Sequence, residues 1–257
     1  MFKRLFPRRR PVDVMPISRF EGLPPTPEEA LAIVGDIHGQ LGCLDAMIDA
    51  LTEKAPSARW VFVGDYVDRG EQSADVLERL RALEISRPNT VFILGNHEEM
   101  MLSFLQDPEG AGNRWMRHGG LQTMASYGAF RLSEHNAPET LRQARDRLLE
   151  LLPEGVEHWL QTRARLFQSG NVVVVHAGAD PTKPMDEQKT QALRWGHSRF
   201  GQVPRQDGLW VVHGHTIVDK PKESNGVISI DTGAYATGRL TAVHMVEGNT
   251  EFLQARG

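Results

Sequence analysis

The stretch GDYVDRG places two carboxylates and a guanidinium in one short segment bounded by glycines. Asp65, Asp68 and Arg69 directly follow the apolar run WVFV (60–63), so a turn at the end of a buried strand would carry all three charges. A turn by itself needs glycine, but it does not need this concentration of charge. Carboxylates in such a turn are suited to bind divalent cations, and a guanidinium offers a planar pair of donors that matches phosphate oxygens. The stretch therefore indicates a site for a cation and for a phosphate group.

Four other apolar runs of strand length, LAIV, VFIL, VVVV and LWVV, end in similar residues: each is followed by glycine together with Asp, Asn or His. In open α/β sheets the carboxyl edge of the strands is where ligands bind, and glycine lets neighbouring turns approach one another. Asp, Asn and His without cysteine suit Mn²⁺, Fe or Zn²⁺. One such turn is as compatible with helix capping as with metal binding, whereas five favour a metal site. The candidate ligands are Asp36, His38, Asp65, Asn96, His176 and His215.

These six side chains exceed the number that one ion with an open substrate position uses. Divided between two ions, they would form a two-metal site of the kind that clamps an in-line phosphoryl displacement. Asp65 is the natural bridging ligand, although the sequence alone leaves that choice open. Arg69 would bind phosphate, and His97 would protonate the leaving group with Asp68 orienting its ring. The alternative for Asp68 and Arg69 is an ordinary surface ion pair.

Strands that alternate with helices must position these turns. Amphipathic segments at residues 41–55 and 73–83 separate the first three apolar runs, which predicts parallel strand pairing through helical crossovers. Further strands are predicted at residues 227–230 and 240–246. Residues 101–165 contain none of the metal-binding motifs and are predicted to form a helical cap beside the site, where the substrate would be selected.

Four residues of this cap are candidates to line a groove, although aromatic residues at helical spacing more often pack in a core. They are Arg114, Trp115, Arg117 and His118.

Length and composition set the domain organisation and exclude some classes of protein. Residues 1–26 are basic and rich in proline, which predicts a flexible leader, with contact to an acidic membrane surface as the alternative. Residues 27–257 are long enough to form one α/β domain. The net charge of −4 argues against a nucleic-acid binder, and no apolar run is long enough for a transmembrane segment. The single cysteine, Cys43, excludes an intrachain disulfide and favours a cytoplasmic location.

The motifs GDIHG, GDYVDRG, GNHE, HAG and HGHT resemble the signature of the PPP-type metallophosphatases, in the calcineurin-like metallophosphoesterase superfamily. GNHEEMM and IDTGAYATGRLTAV (230–243) are similar to the bacterial and phage-type serine/threonine protein phosphatases. The resemblance implies a four-layer α/β/β/α sandwich with two central mixed β-sheets and a helical cap insertion. It also implies two divalent metal ions, with manganese expected and iron or zinc as alternatives.

The same resemblance implies roles for individual residues. The first metal would be bound by Asp36, His38 and Asp65, and the second by Asp65, Asn96, His176 and His215. The family also has a second phosphate-binding arginine between the HAG and HGH motifs, where this chain reads ALRWGHSRF and His197 occupies the expected place. Arg199 is the first candidate for that role and Arg194 the second, with a solvated helix charge as the alternative for either.

These observations predict a metal-dependent phosphomonoesterase in which a hydroxide that bridges two metals attacks phosphorus directly. The predicted substrate is a phosphoprotein or phosphopeptide carrying phosphoserine or phosphothreonine, with phosphotyrosine as an option. Hydrolysis of dinucleoside polyphosphates of the Ap4A type is the alternative, although those enzymes usually lack the counterpart of Asp68 and read GNHD where this chain has Glu98. A catalytically silent metal-binding scaffold is the third hypothesis, and the presence of Arg69 and His97 counts against it.

Overall fold

The computed structural model describes residues 19–129, 132–246 and 248–257. The strands are β1 (Leu31–Val34), β2 (Arg59–Phe62), β3 (Val91–Phe92), β4 (Phe167–Ser169), β5 (Val172–Val174), β6 (Trp210–His213), β7 (Lys222–Ser224), β8 (Val227–Ser229), β9 (Leu240–Val246) and β10 (Asn249–Ala255). The helices are α1 (Leu41–Lys54), α2 (Ser73–Ser86), α3 (Asn96–Gln106), α4 (Pro108–Trp115), α5 (Leu121–Ser126), α6 (Pro138–Leu151), α7 (Val156–Gln161), α8 (Thr190–Trp195) and α9 (Ala234–Thr237). A π-helical turn, Met116–Gly120, joins α4 to α5.

The strands form two five-stranded sheets. The first has the order β10-β9-β1-β2-β3, and the second has the order β4-β5-β6-β8-β7. Central pairs are parallel, as predicted: β1 pairs with β2, and β5 pairs with β6. Strands β9, β10, β4 and β7 pair antiparallel with their neighbours, in agreement with the mixed sheets that the family resemblance implied. Both sheets are therefore mixed.

Alternation along the strands creates the layers. Leu31 and Ile33 of β1 belong to an apolar cluster that also contains Val172 and Val212, so it fills the space between the two sheets. The intervening Ala32 belongs to a second cluster with the apolar faces of α1 and α2. A third cluster covers the other face of the second sheet with α8 and nearby loops. The predicted four-layer α/β/β/α sandwich is confirmed.

The N-terminal segment lies partly outside the described residues. Residues 1–18 of the predicted leader are not described, whereas residues 20–26 contact the second sheet. Phe20 packs edge-to-face on Trp210 with a centroid separation of 4.9 Å, and the Trp210 indole N–H donates to the Leu23 carbonyl at 2.8 Å. The Thr26 N–H donates to the Asn171 side chain at 2.6 Å. The extent of the flexible leader and the other domain boundaries stay predictions.

The region that separates β3 from β4 is mainly helical, and it contains α3 to α7. Its first helix, α3, begins at Asn96 itself, so the GNHE motif is the first turn of a helix. No helix in the described ranges is long and apolar enough to cross a bilayer.

Candidate metal centre

The turns that carry the candidate ligands have an unusual backbone conformation. Five non-glycine residues at this site have positive φ: His38 (47°), Asp65 (54°), Asp68 (73°), Arg69 (66°) and His215 (61°). Among the described residues, only one other non-glycine residue, Asn225, shares this feature. L-residues rarely adopt this region without a tertiary reason, and such strain concentrates at functional sites. The surrounding structure therefore holds these five side chains in place at a conformational cost.

Asp65 lies between two groups of histidines. Its Oδ2 is 3.5 Å from His38 Nε2, and its Oδ1 is 3.3 Å from His176 Nε2. His38, Asp65 and His97 each offer one potential ligand atom, and these three atoms lie within 4.8 Å of one another. The same holds for one atom each of Asp65, His176 and His215. One carboxylate thus offers an oxygen to each group, which is the arrangement that a bridging ligand requires.

The second group also contains Asn96. Its Oδ1 lies 2.8 Å from His176 Nε2 and 2.8 Å from His215 Nδ1. Burial lowers the pKa of His215 to about 4, and burial likewise lowers the pKa of His38 to about 3. Both imidazoles are therefore neutral at pH 7, which is the protonation state that binds a metal.

Asp36 gives the clearest indication that a cation belongs here. Its Oδ2 accepts the His215 N–H at 2.9 Å, whereas its Oδ1 is buried without a hydrogen-bond partner among the described residues. Burial, followed by the nearby charges of Asp231 and Asp65, raises the pKa of Asp36 well above its usual value. A divalent cation would satisfy the orphaned oxygen and offset the repulsion between these carboxylates. The residues present fit a metal site.

His97 and Asp68 form a pair at the same site. The His97 Nδ1 lies 2.7 Å from Asp68 Oδ2, and both side chains are buried. Burial alone lowers the pKa of His97, but Asp65 and Asp68 outweigh it, so the pKa is raised overall. The His97 Nε2 lies 3.3 Å from Arg69 Nη2, and a guanidinium so close disfavours a metal ion on that nitrogen. The two carboxylates therefore favour the protonated form of the His97 ring despite the nearby guanidinium.

Two cap residues hold Asp68. The Trp115 indole N–H donates to Asp68 at 2.9 Å, and the Thr123 hydroxyl donates to it at 2.7 Å. Trp115 is fully buried, so the core interpretation of its position is confirmed, yet it also contacts Asp68. Burial raises the pKa of Asp68, while the bonds from His97, Thr123 and Trp115 oppose that rise. The sequence held no local signal for these contacts, which span 47 and 55 residues.

Arg69 is positioned by Tyr235. Its Nη1 donates to the Tyr235 hydroxyl at 2.8 Å, and its Cζ lies 4.8 Å from the centroid of the Tyr235 ring. The same ring packs edge-to-face on His38 at 5.4 Å. The motif IDTGAY thus contributes Tyr235 directly to the site.

Glu98 organises the backbone of the Asp65 turn. Its carboxylate accepts the N–H groups of Asp65 at 2.9 Å, Tyr66 at 2.7 Å, Val67 at 3.2 Å and Gly95 at 3.0 Å. Burial, followed by the charge of Asp65, raises the pKa of Glu98 to about 7. One buried carboxylate therefore ties the Asp65 turn to the turn that precedes Asn96.

Neither of the two arginines predicted to bind phosphate is hydrogen-bonded to a candidate metal ligand among the described residues. Arg199 is exposed, and no side-chain hydrogen bond joins it to another described residue, although its backbone N–H donates to His197. The Arg194 guanidinium donates to Glu99. The role of either residue as a second phosphate ligand stays a prediction. His213 is buried and bonds to Ser229 Oγ at 2.8 Å, in agreement with a packing role.

The sequence of this chain is similar to those of known proteins. Residues 30–219 match the model of the calcineurin-like phosphoesterases. The chain is 30% identical over 244 residues to the bis(5'-nucleosyl)-tetraphosphatase PrpE [asymmetrical] of Geobacillus thermodenitrificans, covering 85% of this chain and 91% of that protein. It is 29% identical to the protein of the same name from Bacillus mycoides, with the same coverage.

Solved structures share the fold. A protein assigned as a diadenosine tetraphosphatase superimposes with a TM-score of 0.62 at 22% identity, over 91% of this chain and 96% of that one. A PP5-like protein serine/threonine phosphatase from Saccharomyces cerevisiae gives 0.59 at 16% identity, over 90% and 81%. The chain belongs to the calcineurin-like metallophosphoesterase family, and it carries candidate ligand residues for two metal ions.

Proposed function

We propose that this chain is a metal-dependent hydrolase that cleaves the polyphosphate bridge of a bis(5'-nucleosyl) tetraphosphate. The similarity to relatives named for that activity carries the proposal, because it extends over nearly the full length of both chains. Asp36, His38 and Asp65 would hold one divalent ion, and Asp65, Asn96, His176 and His215 the other. Manganese is the ion we propose, and Cys43, a free buried thiol, suits a cytoplasmic location.

When bound, the two ions would supply Lewis acidity and make water a nucleophile at neutral pH. The remaining steps belong to the side chains of this chain. Arg69, fixed by Tyr235, would bind oxygens of the reacting phosphate, since its fork faces the same space as His97. His97, with its Nδ1 held by Asp68, would present Nε2 toward the leaving group.

The proposal is tested by measuring the nucleotides released from diadenosine tetraphosphate by the manganese-loaded protein. We expect hydrolysis that chelation abolishes, with a kcat/KM at least about tenfold above that on a phosphoserine peptide. A preference for the peptide would contradict the proposed substrate. Asp36→Asn should bind less manganese and lose activity, whereas Asp49→Asn, the same change at an exposed position of α1, should do neither.

A phosphoprotein phosphatase is the second candidate, and the pair of His97 and Asp68 favours it. A phosphoanhydride releases a phosphate that is a stable anion at neutral pH, so it needs little protonation. A phosphoserine releases an alkoxide, which is strongly basic and needs an acid. A buried histidine–aspartate pair at 2.7 Å is suited to the second task.

The two candidates make different predictions for His97→Ala. General acid catalysis contributes roughly 100-fold to 10,000-fold, so loss of the acid should reduce kcat on a phosphoserine peptide by that order. The same change should reduce kcat on diadenosine tetraphosphate much less. Equal losses on both substrates would show that His97 acts on the phosphate itself, and no peptide activity in the unchanged protein would exclude the second candidate.

A further inference from the structure

A groove lies along α3, the helix that begins at the candidate ligand Asn96. Its volume is about 550 Å³, and α3 lines it with Glu99, Met100, Ser103 and Gln106. These residues follow Asn96 at spacings of three or four, so they share the helix face of that candidate ligand. At about 1.5 Å per residue, Ser103 lies roughly 10 Å along the axis from Asn96. The α3 side of the groove therefore begins within one helical turn of Asn96 and continues away from it by about the reach of a phosphate and a sugar.

Two other helices form the walls. Ala111 and Arg114 of α4 contribute to the lining, together with Gln191 and Trp195 of α8. The Trp195 indole N–H donates to the Glu99 carboxylate, which fixes the ring. The Arg114 guanidinium lies over that ring, with Cζ 4.6 Å from the centroid.

This stack presents a flat, exposed surface inside the groove. Arg114 is exposed, so the guanidinium face turned away from Trp195 is open to a ligand. Guanidinium planes that rest on aromatic rings are platforms on which nucleobases stack. The volume is within the range of roughly 300–1,000 Å³ that small-molecule sites occupy. The side chains of Gln106, Asp107 and Gln191 offer donors and acceptors for the polar edge of a base or for ribose hydroxyls.

We infer that this groove binds one nucleoside of the dinucleoside tetraphosphate, with its base stacked on Arg114. The inference rests on the proposed function, and it assigns base recognition to α3, α4 and α8. Arg114 is a binding residue that touches the base and leaves the chemistry at phosphorus unchanged.

The test compares AMP with ribose 5-phosphate, which carry the same sugar and phosphate and differ only in the base. Calorimetric titration of the manganese-loaded protein should show AMP binding about tenfold more tightly, the size that one base stack gives. Arg114→Ala should remove this preference. Arg147→Ala, the same change at an exposed arginine of α6, should retain it. Ser103→Leu, which adds bulk on the α3 side of the groove, should also weaken the binding of AMP and leave the affinity for ribose 5-phosphate unchanged.

Kinetics on diadenosine tetraphosphate supply a second readout. Arg114→Ala should raise KM about tenfold with little change in kcat, and the rate on p-nitrophenyl phosphate should stay the same, which also shows that the variant is folded. Equal affinity for AMP and ribose 5-phosphate, or a base preference that persists in Arg114→Ala, would overturn the inference. So would a preference of the groove for a phosphopeptide that Arg114→Ala abolishes.

The failure of this inference and the failure of the proposed function are distinguishable. Cleavage of diadenosine tetraphosphate with an unchanged KM in Arg114→Ala would overturn the groove assignment alone. A base preference that depends on Arg114, without cleavage of diadenosine tetraphosphate, would refute the proposed substrate and retain the nucleoside site.

Discussion

Gly64→Ala should separate the two turns that carry Asp65 and Asn96. Gly64 has a φ of 108°, and a Cβ built there would lie 2.5 Å from the nitrogen and 2.7 Å from the Cα of Gly95. Both contacts are with backbone, so no side-chain rotation can relieve them. The Asp65 turn and the Gly95 turn must move apart, and each carries a candidate ligand of the same ion.

The magnitude follows from two costs. Placing an L-residue at positive φ costs about 1–2 kcal/mol. Forcing an extra carbon into a closely packed region costs about 1–3 kcal/mol more. Gly64→Ala should therefore lower the free energy of unfolding by about 2–5 kcal/mol, a large part of the roughly 5–15 kcal/mol that stabilises a folded domain.

Gly128→Ala is the matched control. Gly128 has a φ of 66°, and a Cβ added there meets no atom of the described residues within 4 Å. Gly128→Ala should lower the free energy of unfolding only by the conformational cost of about 1–2 kcal/mol. The difference between the two variants measures the close approach of the two turns.

Urea denaturation of the metal-free proteins gives the two free energies of unfolding, and titration with Mn²⁺ gives the metal affinities. We expect Gly64→Ala to bind Mn²⁺ at least about tenfold more weakly, the size of effect seen when groups that orient metal ligands are disturbed. Gly128→Ala should bind Mn²⁺ normally. If both variants lose equal stability and bind Mn²⁺ equally well, the contact between the turns does not position the ligands.

Three further predictions concern the site. Asp68→Asn removes one of the two carboxylates that raise the pKa of His97, so the pKa should fall and the alkaline limb of kcat for a phosphomonoester should move to lower pH; a limb that does not move would exclude His97 as the acid. Tyr235→Phe removes the acceptor of an Arg69 N–H, so KM for a phosphate ester should rise about fivefold, which corresponds to the roughly 1 kcal/mol of one hydrogen bond, and kcat should change little. Mn²⁺ at 100 times its Kd should stabilise the protein by about 2.7 kcal/mol in thermal unfolding, and Asp36→Asn should show less of this effect.

The strands of the fold were predictable from the sequence where their residues form an apolar run. The apolar runs at β1, β2, β5, β6 and β9 correspond to strands within one or two residues. The edge strands β4, β7 and β10 escaped prediction, because a strand with one neighbour and exposed side chains need not be apolar. The antiparallel pairing of these edges also depends on loops whose paths leave no periodic signal.

The sequence by itself determined which donors are present and in what order they follow the strands, because a ligand at the end of a strand is a local feature. It therefore predicted Asp36, Asp65 and Asn96 together with the histidines that the fold brings around them. Only the tertiary structure decided what holds them. The Asp68 carboxylate depends on Trp115 and the Arg69 guanidinium depends on Tyr235, across 47 and 166 residues of chain.

The same division applies to the substrate. The residues proposed for the chemistry at phosphorus lie in short motifs with fixed local spacing, so they could be predicted from the sequence. The groove along α3 is assembled from three helices that meet only after folding, so the sequence could name Arg114 as a candidate but could not show which residues of α3 and α8 lie beside it. A binding surface of this kind exists only once distant segments pack together, since each contributes one wall and none is a site alone.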